Sequence, residues 1–167
     1  TFEVIADFGP FLSGLTCDNG EIIWRLYSSY RDPEVIFANV ICKHSAVPDE
    51  QFVFRCQNAR GPAAAVLTSW EQLPLPPDIG SWLGDLEADH DQPGVVYYGA
   101  SSSLTNDSSA VGAGMLFRVD NNLPSSDPGH LIDLTGIGAT SLPNVGGARI
   151  ALERGSNGGI YFSTDVG

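Results

Sequence analysis

Two apolar runs that flank a polar connection constrain the fold of this chain most strongly. The first run, 35–42, is almost wholly apolar, which favours a strand covered on both faces. The second run, 52–56, has the two-residue period of a half-buried strand, and one of its faces carries Phe52, Phe54 and Cys56. The connection contains Pro48 and Asp49, so we predict a central antiparallel hairpin with a long loop.

Similar short runs recur along the rest of the chain, between clusters of Gly, Pro, Asn and Asp. The 167 residues include 19 Gly and 11 Pro, and the length fits one domain, 1–167, that can bury a core. This pattern predicts an all-β fold, an antiparallel sandwich or barrel of roughly eight to ten short strands, and no repeat of fixed period is visible. The further strands are predicted at 2–12, 21–30, 63–70, 95–98, 111–120, 130–134, 149–153 and 160–163.

Residues 71–94 differ in character from these runs. Three prolines between 74 and 77 exclude regular structure at their own positions. Asp78 is well placed to cap a short helix. The apolar side of that helix would carry Ile79, Trp82, Leu83 and Leu86. We therefore predict at most one short helix, near 78–87.

The charge of the chain excludes two classes of partner. The chain has 20 acidic and eight basic residues, which gives a net charge of −12, and the basic residues form no cluster in the sequence. Nucleic-acid binding needs clustered cations that neutralise phosphates, and an anionic membrane surface attracts such clusters in the same way. No run of about 18 apolar residues occurs either. We predict neither nucleic-acid binding nor membrane insertion.

Three cysteines, Cys17, Cys42 and Cys56, form an odd set without metal-ligand spacing. We favour three buried free thiols, because three cysteines do not make the disulfide framework of a small secreted domain. The alternative is a bridge between Cys42 and Cys56 across the hairpin. Such a bridge would stabilise the fold by roughly 3 kcal/mol on the chain-entropy argument.

The densest acidic patch holds Asp85, Glu87, Asp89 and Asp91. Alternate acidic side chains on an extended loop can converge on one Ca²⁺, which would relieve their mutual repulsion. The glycine and the distal glutamate of the calcium helix–loop motif are missing, and a solvated loop is the alternative interpretation. We predict no required cofactor, with calcium as the candidate ion at these four residues.

No catalytic motif stands out. The chain has no nucleophile elbow, no phosphate-binding glycine loop and no feature that pairs two carboxylates across a cleft. His44, His90 and His130 are far apart in the sequence, and we expect all three to be exposed polar residues. We predict that the protein is not an enzyme.

Long Ser-, Asn- and Asp-rich loops at 100–110 and 121–129 are each followed by a short strand, GMLFRV or HLIDL, and seven of the eight basic residues are Arg. This texture resembles the protruding domain of small non-enveloped RNA virus capsids of the nodavirus, tetravirus and tombus-like kinds. The resemblance implies a non-enzymatic spike on the virion surface, or otherwise an extracellular domain. It further implies assembly as a homodimer or homotrimer and loops that attach to a host-cell receptor or glycan.

Loops on a rigid scaffold commonly carry recognition, so we assign receptor binding to the two loops 101–109 and 121–129. The assigned residues are Ser102, Ser103, Thr105, Asn106, Asp107, Asn121, Asn122, Ser125 and Asp127. The alternative is a secreted carbohydrate-binding β-sandwich with structural calcium, which should expose two or three coplanar aromatic rings. A third alternative is a small hydrolase on a β scaffold, which should bury a pair of titratable groups in a pocket.

Overall fold

A computed structural model describes residues 6–12, 17–28, 32–46, 50–75, 82–101, 114–135, 149–152 and 159–163. These residues form three antiparallel sheets and one short helix, so the all-β prediction is confirmed. The elements, in chain order, are β1 Glu21–Ser28, β2 Ile36–Cys42, β3 Glu50–Cys56, α1 Ala63–Thr68, β4 Trp70–Leu73, β5 Trp82–Ala88, β6 Val95–Ser101, β7 Gly114–Asp120, β8 Leu131–Asp133, β9 Arg149–Leu152 and β10 Ile160–Ser163. Across the described part of the chain, no helix is both long enough and apolar enough to cross a membrane.

The chain divides into two compact units, Thr1–Leu75 and Pro76–Gly167. Unit 1 contains the sheet β1-β2-β3-β4 with α1, and unit 2 contains the sheets β5-β6-β7-β8 and β10-β9. The assignment of 1–167 to one domain stays a prediction.

The predicted central hairpin is present in unit 1. β2 and β3 pair antiparallel from Ile36 opposite Cys56 to Cys42 opposite Glu50, and both strands lie inside their sheet. One face of the pair contributes Ala38, Val40, Phe54 and Cys56 to a core cluster, which Phe8, Leu12, Val66 and Trp70 complete. The Phe8 ring lies 4.5 Å from the Phe54 ring and 5.1 Å from that of Trp70, centroid to centroid.

The strand predicted at 2–12 is wrong over the described residues 6–12. The backbone N–H groups of Phe11 and Leu12 both donate to Phe8 O, so the segment is a turn. The side chains of Phe8 and Leu12 are buried in the core. They are four residues apart, and this spacing places two side chains on one face of a helical turn as well as on one face of a strand. The part of the prediction at 2–5 lies outside the described residues.

The strand predicted at 63–70 is also wrong, because α1 occupies Ala63–Thr68 and β4 begins only at Trp70. Pro62 fixes the backbone before the helix, and three consecutive alanines follow it, which are the best helix formers. A short apolar run does not distinguish a buried helix from a strand by period alone.

The helix predicted near 78–87 is contradicted over 82–87, where β5 pairs with β6; positions 78–81 lie outside the described residues. An irregularity between Leu83 and Asp85 shifts the register by one residue. Because of this bulge, Leu83 and Leu86, three residues apart in the sequence, pair with Ala100 and Tyr98, which are only two apart on β6, and a three-residue spacing imitates that of a helix.

Unit 2 repeats the strand pairing of unit 1. Arg25 of β1 pairs with Asn39, and Asp85 of β5 pairs with Gly99, an offset of 60 residues on both strands (85 − 25 and 99 − 39). Each first strand carries its register shift immediately before this pair. The chain therefore contains the same bulged hairpin twice.

The repeat continues beyond the first hairpin, although its offset changes. Arg55 pairs with Phe37 and Arg118 with Tyr97, which is an offset of 63 for β3 and β7 (118 − 55). Tyr161 of β10 pairs with Ala151 as Tyr97 pairs with Glu87, an offset of 64 (161 − 97). The connections differ in length, which explains why no fixed period is visible in the sequence.

Candidate functional site

Four of the residues assigned to receptor binding lie in the connection between β7 and β8, namely Asn121, Asn122, Ser125 and Asp127. The other five lie outside the described residues, namely Ser102, Ser103, Thr105, Asn106 and Asp107.

The β7–β8 connection is bound to the turn between β5 and β6. The backbone N–H and the side-chain amide of Asn121 both donate to Gly94 O at 3.0 Å, and the Asn122 amide donates to Pro93 O at 2.7 Å. The turn closes with Val95 N–H donating to Gln92 O, and Gly94 has a φ of 87°, as a type II turn requires at its third position. We call the joined segments 89–94 and 121–129 the loop surface.

The connection is also held from within. Asp127 Oδ1 accepts the Gly129 N–H at 2.8 Å. His130 Nδ1 lies 3.0 Å from Asp120 O and 3.1 Å from Leu123 O, so this nitrogen must donate to the two carbonyl groups. His130 is only 9% exposed, so the expectation of an exposed histidine is wrong here. The loop is thus pre-organised by its own polar groups.

Two polar side chains on the sheet reach the loop surface. Arg118 Nη2 donates to Gln92 Oε1 at 3.1 Å and lies 3.6 Å from Asp120 Oδ2. The Tyr97 hydroxyl donates to Asp89 Oδ2 at 3.3 Å, and burial, reinforced by the Asp89 charge, raises the pKa of Tyr97. Neither residue was predicted. A single charged residue inside the apolar run GMLFRV was the available signal for Arg118.

The carboxylates proposed for calcium have different partners within the protein. Asp85 lies in β5 and not in a loop, is 8% exposed, and its Oδ2 accepts the N–H of Ile150 at 3.2 Å. Asp89 Oδ1 accepts the N–H groups of Asp91 and Gln92, at 2.8 and 2.9 Å. These acceptors already have donors, so their need for a cation is reduced. Calcium at Asp85, Glu87, Asp89 and Asp91 stays a prediction.

Glu87 lies beside another of the histidines. Its Oε1 is 3.9 Å from His90 Nε2, and the His90 side chain is only 11% exposed. The expectation of an exposed histidine is therefore wrong at this position as well.

Both interpretations of the cysteines are wrong, because Cys17 and Cys42 form a disulfide and Cys56 is a buried free thiol. The antiparallel register places Cys42 and Cys56 at opposite ends of the hairpin. Cys17 instead reaches the end of β2, because Lys43 N–H donates to Gly20 O at 2.9 Å and Asn19 N–H donates to Lys43 O at 3.1 Å.

A second cluster of functional groups lies at this disulfide. His44 Nε2 is 3.5 Å from Cys42 Sγ and 3.8 Å from Glu50 Oε2, and its Nδ1 is 3.8 Å from Asp18 Oδ1. The His44 side chain is 11% exposed, again against expectation, whereas both carboxylates are more accessible. We call Cys17, Asp18, Cys42, His44 and Glu50 the Cys–His–carboxylate cluster.

Within the described residues, Cys42, His44 and Glu50 are the one group of three potential metal ligands whose donor atoms all lie within 4.8 Å of one another. Cys42 is oxidised, so it offers no thiolate in this form. Asp18 accepts the Ser45 hydroxyl and, at 2.9 Å, the Ser45 N–H, and these two hydrogen bonds lower the pKa of Asp18.

In comparisons with known protein families, curated proteins and solved structures, the chain matches none. The function must therefore be argued from the loop surface and the Cys–His–carboxylate cluster.

Proposed function

We propose that this chain is a non-enzymatic recognition domain exposed outside the cell, and that the loop surface is its binding face. The observation that carries this proposal is the bonding of two loops into one surface by Asn121 and Asn122. Loops fixed on a sheet scaffold present their side chains without a large ordering cost on binding.

The chemistry of the loop surface favours a polar partner such as a receptor glycan. Asp91, Gln92 and Ser125 are exposed, and they offer carboxylate, amide and hydroxyl groups that hydrogen-bond to sugar hydroxyls. The side chains of Asn121, Asn122 and Asp127 hold the loops, so we assign contact with the partner mainly to the exposed Asp91, Gln92 and Ser125.

The protruding domain of a virus capsid is the specific form of this proposal. It is supported by loops displayed at the end of an antiparallel sheet and by the Cys17–Cys42 disulfide, since disulfides persist in oxidising extracellular surroundings. A spike domain of this kind acts by attachment, and it places its loops where a host receptor can reach them.

Self-association of the spike as a homodimer or homotrimer finds support on β1. Ile23 and Leu26 are 50% and 63% exposed and lie opposite Val40 and Ala38, on the apolar face of the sheet. No strand of the described residues pairs with the outer edge of β1. An exposed apolar edge strand is a template for pairing with another chain, and we assign this edge to a second copy.

A repeated four-stranded sheet favours the alternative, a secreted binding module, as the second candidate. Each unit contains one such sheet, and a scaffold that recurs along one chain is typical of modular binding proteins. The described exposed aromatic residues, Phe11 and Tyr161, belong to different units, so they support no sugar-stacking platform within either unit.

Binding of the full chain to an array of immobilised glycans tests the first proposal. We expect binding that a double change, Asp91→Ala with Ser125→Ala, reduces more than tenfold, whereas Gln72→Ala on β4 leaves it unchanged. Binding that survives the double change would remove the loop surface as the binding face. The mass in solution separates the candidates: a dimer or trimer lost in Leu26→Lys supports the spike, and a monomer supports the secreted module.

A further inference from the structure

We propose that reduction of the Cys17–Cys42 disulfide converts the Cys–His–carboxylate cluster into a four-ligand Zn²⁺ site. The ligands are the two freed thiolates, His44 Nε2 and the Glu50 carboxylate. This inference is independent of the proposed function. Zinc and the disulfide exclude each other, because both use the same two sulfur atoms.

The donor atoms of Cys42, His44 and Glu50, which all lie within 4.8 Å of one another, fit three corners of a tetrahedral zinc site. Zinc takes nitrogen, oxygen and sulfur ligands at about 2.0–2.3 Å, so tetrahedral ligand atoms stand roughly 3.3–3.8 Å apart. His44 Nε2 lies 3.5 Å from Cys42 Sγ and 3.8 Å from Glu50 Oε2. Cys17 Sγ is bonded to Cys42 Sγ at 2.04 Å before reduction, so it has to move away from that sulfur to reach the fourth corner when the metal binds.

The other nitrogen of His44 faces a carboxylate, as in many zinc sites. Nδ1 lies 3.8 Å from Asp18 Oδ1, and a metal-bound histidine commonly donates its second N–H to such a group. Asp18 is itself fixed by the hydroxyl and the backbone N–H of Ser45. Asp18 would act as a positioning residue that directs Nε2 towards the metal.

The backbone keeps the two sulfur atoms near each other after the bond between them breaks. Asn19 N–H donates to Lys43 O, and Lys43 N–H donates to Gly20 O, on either side of the disulfide. These bonds do not depend on the redox state of the cysteines. The reduced form therefore retains much of the ligand geometry before the metal arrives.

The redox step balances with a dithiol as the reductant. The dithiol gives two electrons and two protons, the S–S bond breaks, Cys17 and Cys42 become thiols, and the dithiol leaves as its own disulfide. Zinc then displaces the two thiol protons and binds the thiolates. Reoxidation would release the metal.

Titration of the full chain with zinc chloride tests the proposal. The chain is reduced with a water-soluble phosphine under nitrogen, and the bound metal is counted by native mass spectrometry against a competing chelating dye. We expect one zinc per reduced chain and none on the oxidised chain at the same free zinc. Cobalt in place of zinc should give the visible absorption of a tetrahedral thiolate site.

Variants assign the ligands. His44→Ala and Glu50→Gln should each weaken zinc binding more than tenfold, and Asp18→Asn should weaken it about tenfold. Cys56→Ser is the matched control, since it removes the buried thiol outside the cluster and should leave zinc binding unchanged. Zinc should also restore part of the melting temperature that reduction removes, which keeps the test valid if the reduced chain unfolds.

Three results would overturn the proposal. The reduced chain could neither bind zinc nor be restabilised by it. Zinc affinity could be unaffected by His44→Ala. The oxidised chain could bind zinc as tightly as the reduced one, which would leave no role for the disulfide.

Discussion

The connection between the third and fourth strands of the sheet has a different structure in each of the two units. In both, the third strand leaves its sheet with a matching backbone contact: Ala59 N–H donates to Glu34 O at 2.8 Å, and Asn121 N–H donates to Gly94 O at 3.0 Å. Unit 1 then forms α1 and buries Trp70 in its core, whereas unit 2 forms a polar, largely exposed loop. The two copies of the scaffold thus differ in this connection, and the exposed one is the copy to which we assign the proposed recognition role.

Two arginines at equivalent register positions, Arg55 in unit 1 and Arg118 in unit 2, also have different partners. Arg55 Nε donates to Glu71 Oε1 at 2.7 Å, directly across the sheet on β4. The residue opposite Arg118 on β8 is Ile132, so Arg118 turns to Gln92 of the neighbouring loop. The arginine therefore joins two strands of the sheet in unit 1, whereas in unit 2 it contacts the loop surface.

Loss of the disulfide should have the largest effect, because unit 1 alone is cross-linked among the described residues. Cys17→Ser opens a loop with a sequence separation of 25 residues, and we expect a loss of about 3 kcal/mol in the free energy of unfolding. Urea denaturation measures it. Cys56→Ser, which keeps the bridge, is the control. A loss below about 1 kcal/mol would mean that the backbone bonds hold the turn without the bridge.

Two glycines with positive φ provide a matched pair, one in each unit. Gly94→Ala would place a Cβ 2.6 Å from Asn122 Oδ1, so the Asn122 amide must move and its bond to Pro93 O is endangered. Gly20→Ala has a φ of 90° but open space around the new Cβ. We expect losses of about 2–3 kcal/mol for Gly94→Ala and about 1 kcal/mol for Gly20→Ala. Equal losses in thermal unfolding would show that backbone strain alone determines the cost.

The Arg55–Glu71 pair should contribute less and should depend on pH. Burial raises the pKa of Glu71, but hydrogen bonds from Arg55 and Gln57 lower it more, so it lies below its usual 4.5. The stabilisation is present above about pH 4.5 and is lost as pH falls through the folded pKa. Glu71→Gln should cost roughly 0.5–1 kcal/mol at neutral pH and flatten the acid limb of stability.

Gln92→Ala is the matched change in unit 2. It removes the acceptor of Arg118 in the exposed loop, and it should affect ligand binding more than folding. A cost on folding as large as that of Glu71→Gln would show that the two arginines play the same structural role.

The local sequence pattern was enough to predict the central hairpin and most strands, because the alternation of apolar and polar residues is visible at neighbouring positions. The local pattern failed where the structure depends on pairing between residues that are distant in the sequence. Ala63–Thr68 forms a helix before β4, and the bulge between Leu83 and Asp85 allows apolar residues of β5 to recur at a spacing that imitates a helix. The disulfide partner of Cys42 follows from the register of β1 with β2, which pairs Glu21 with Cys42 and which composition does not reveal.

The candidate sites show the same limit. Asn121 and Asp127 were recognisable as turn residues, but the bond from Asn121 to Gly94 spans 27 residues of sequence. His44 was expected to be exposed because nothing nearby in the sequence indicates that Asp18 and Glu50 meet it. The structural repeat went unseen because its offset varies from 60 to 64 residues.

The smallest expected effect concerns the turn that the disulfide anchors. The Ser45 hydroxyl and N–H lower the pKa of Asp18 below its usual 3.8. Because a depressed carboxyl pKa stabilises only above the unfolded value, this contribution is present above about pH 3.8 and is lost as pH falls through the folded pKa. Ser45→Ala removes the hydroxyl but keeps the N–H, so the Asp18 pKa should rise only part of the way to 3.8.

Carbon-detected NMR titration of the Asp18 carboxyl, carried out in parallel on the unaltered chain and on Ser45→Ala, measures this pKa directly. An unchanged Asp18 pKa in Ser45→Ala would mean that the backbone N–H alone depresses it. The turn of unit 1 would then be held, like the loop surface of unit 2, mainly by hydrogen bonds that involve the backbone, with the addition of a disulfide that the described residues of unit 2 lack.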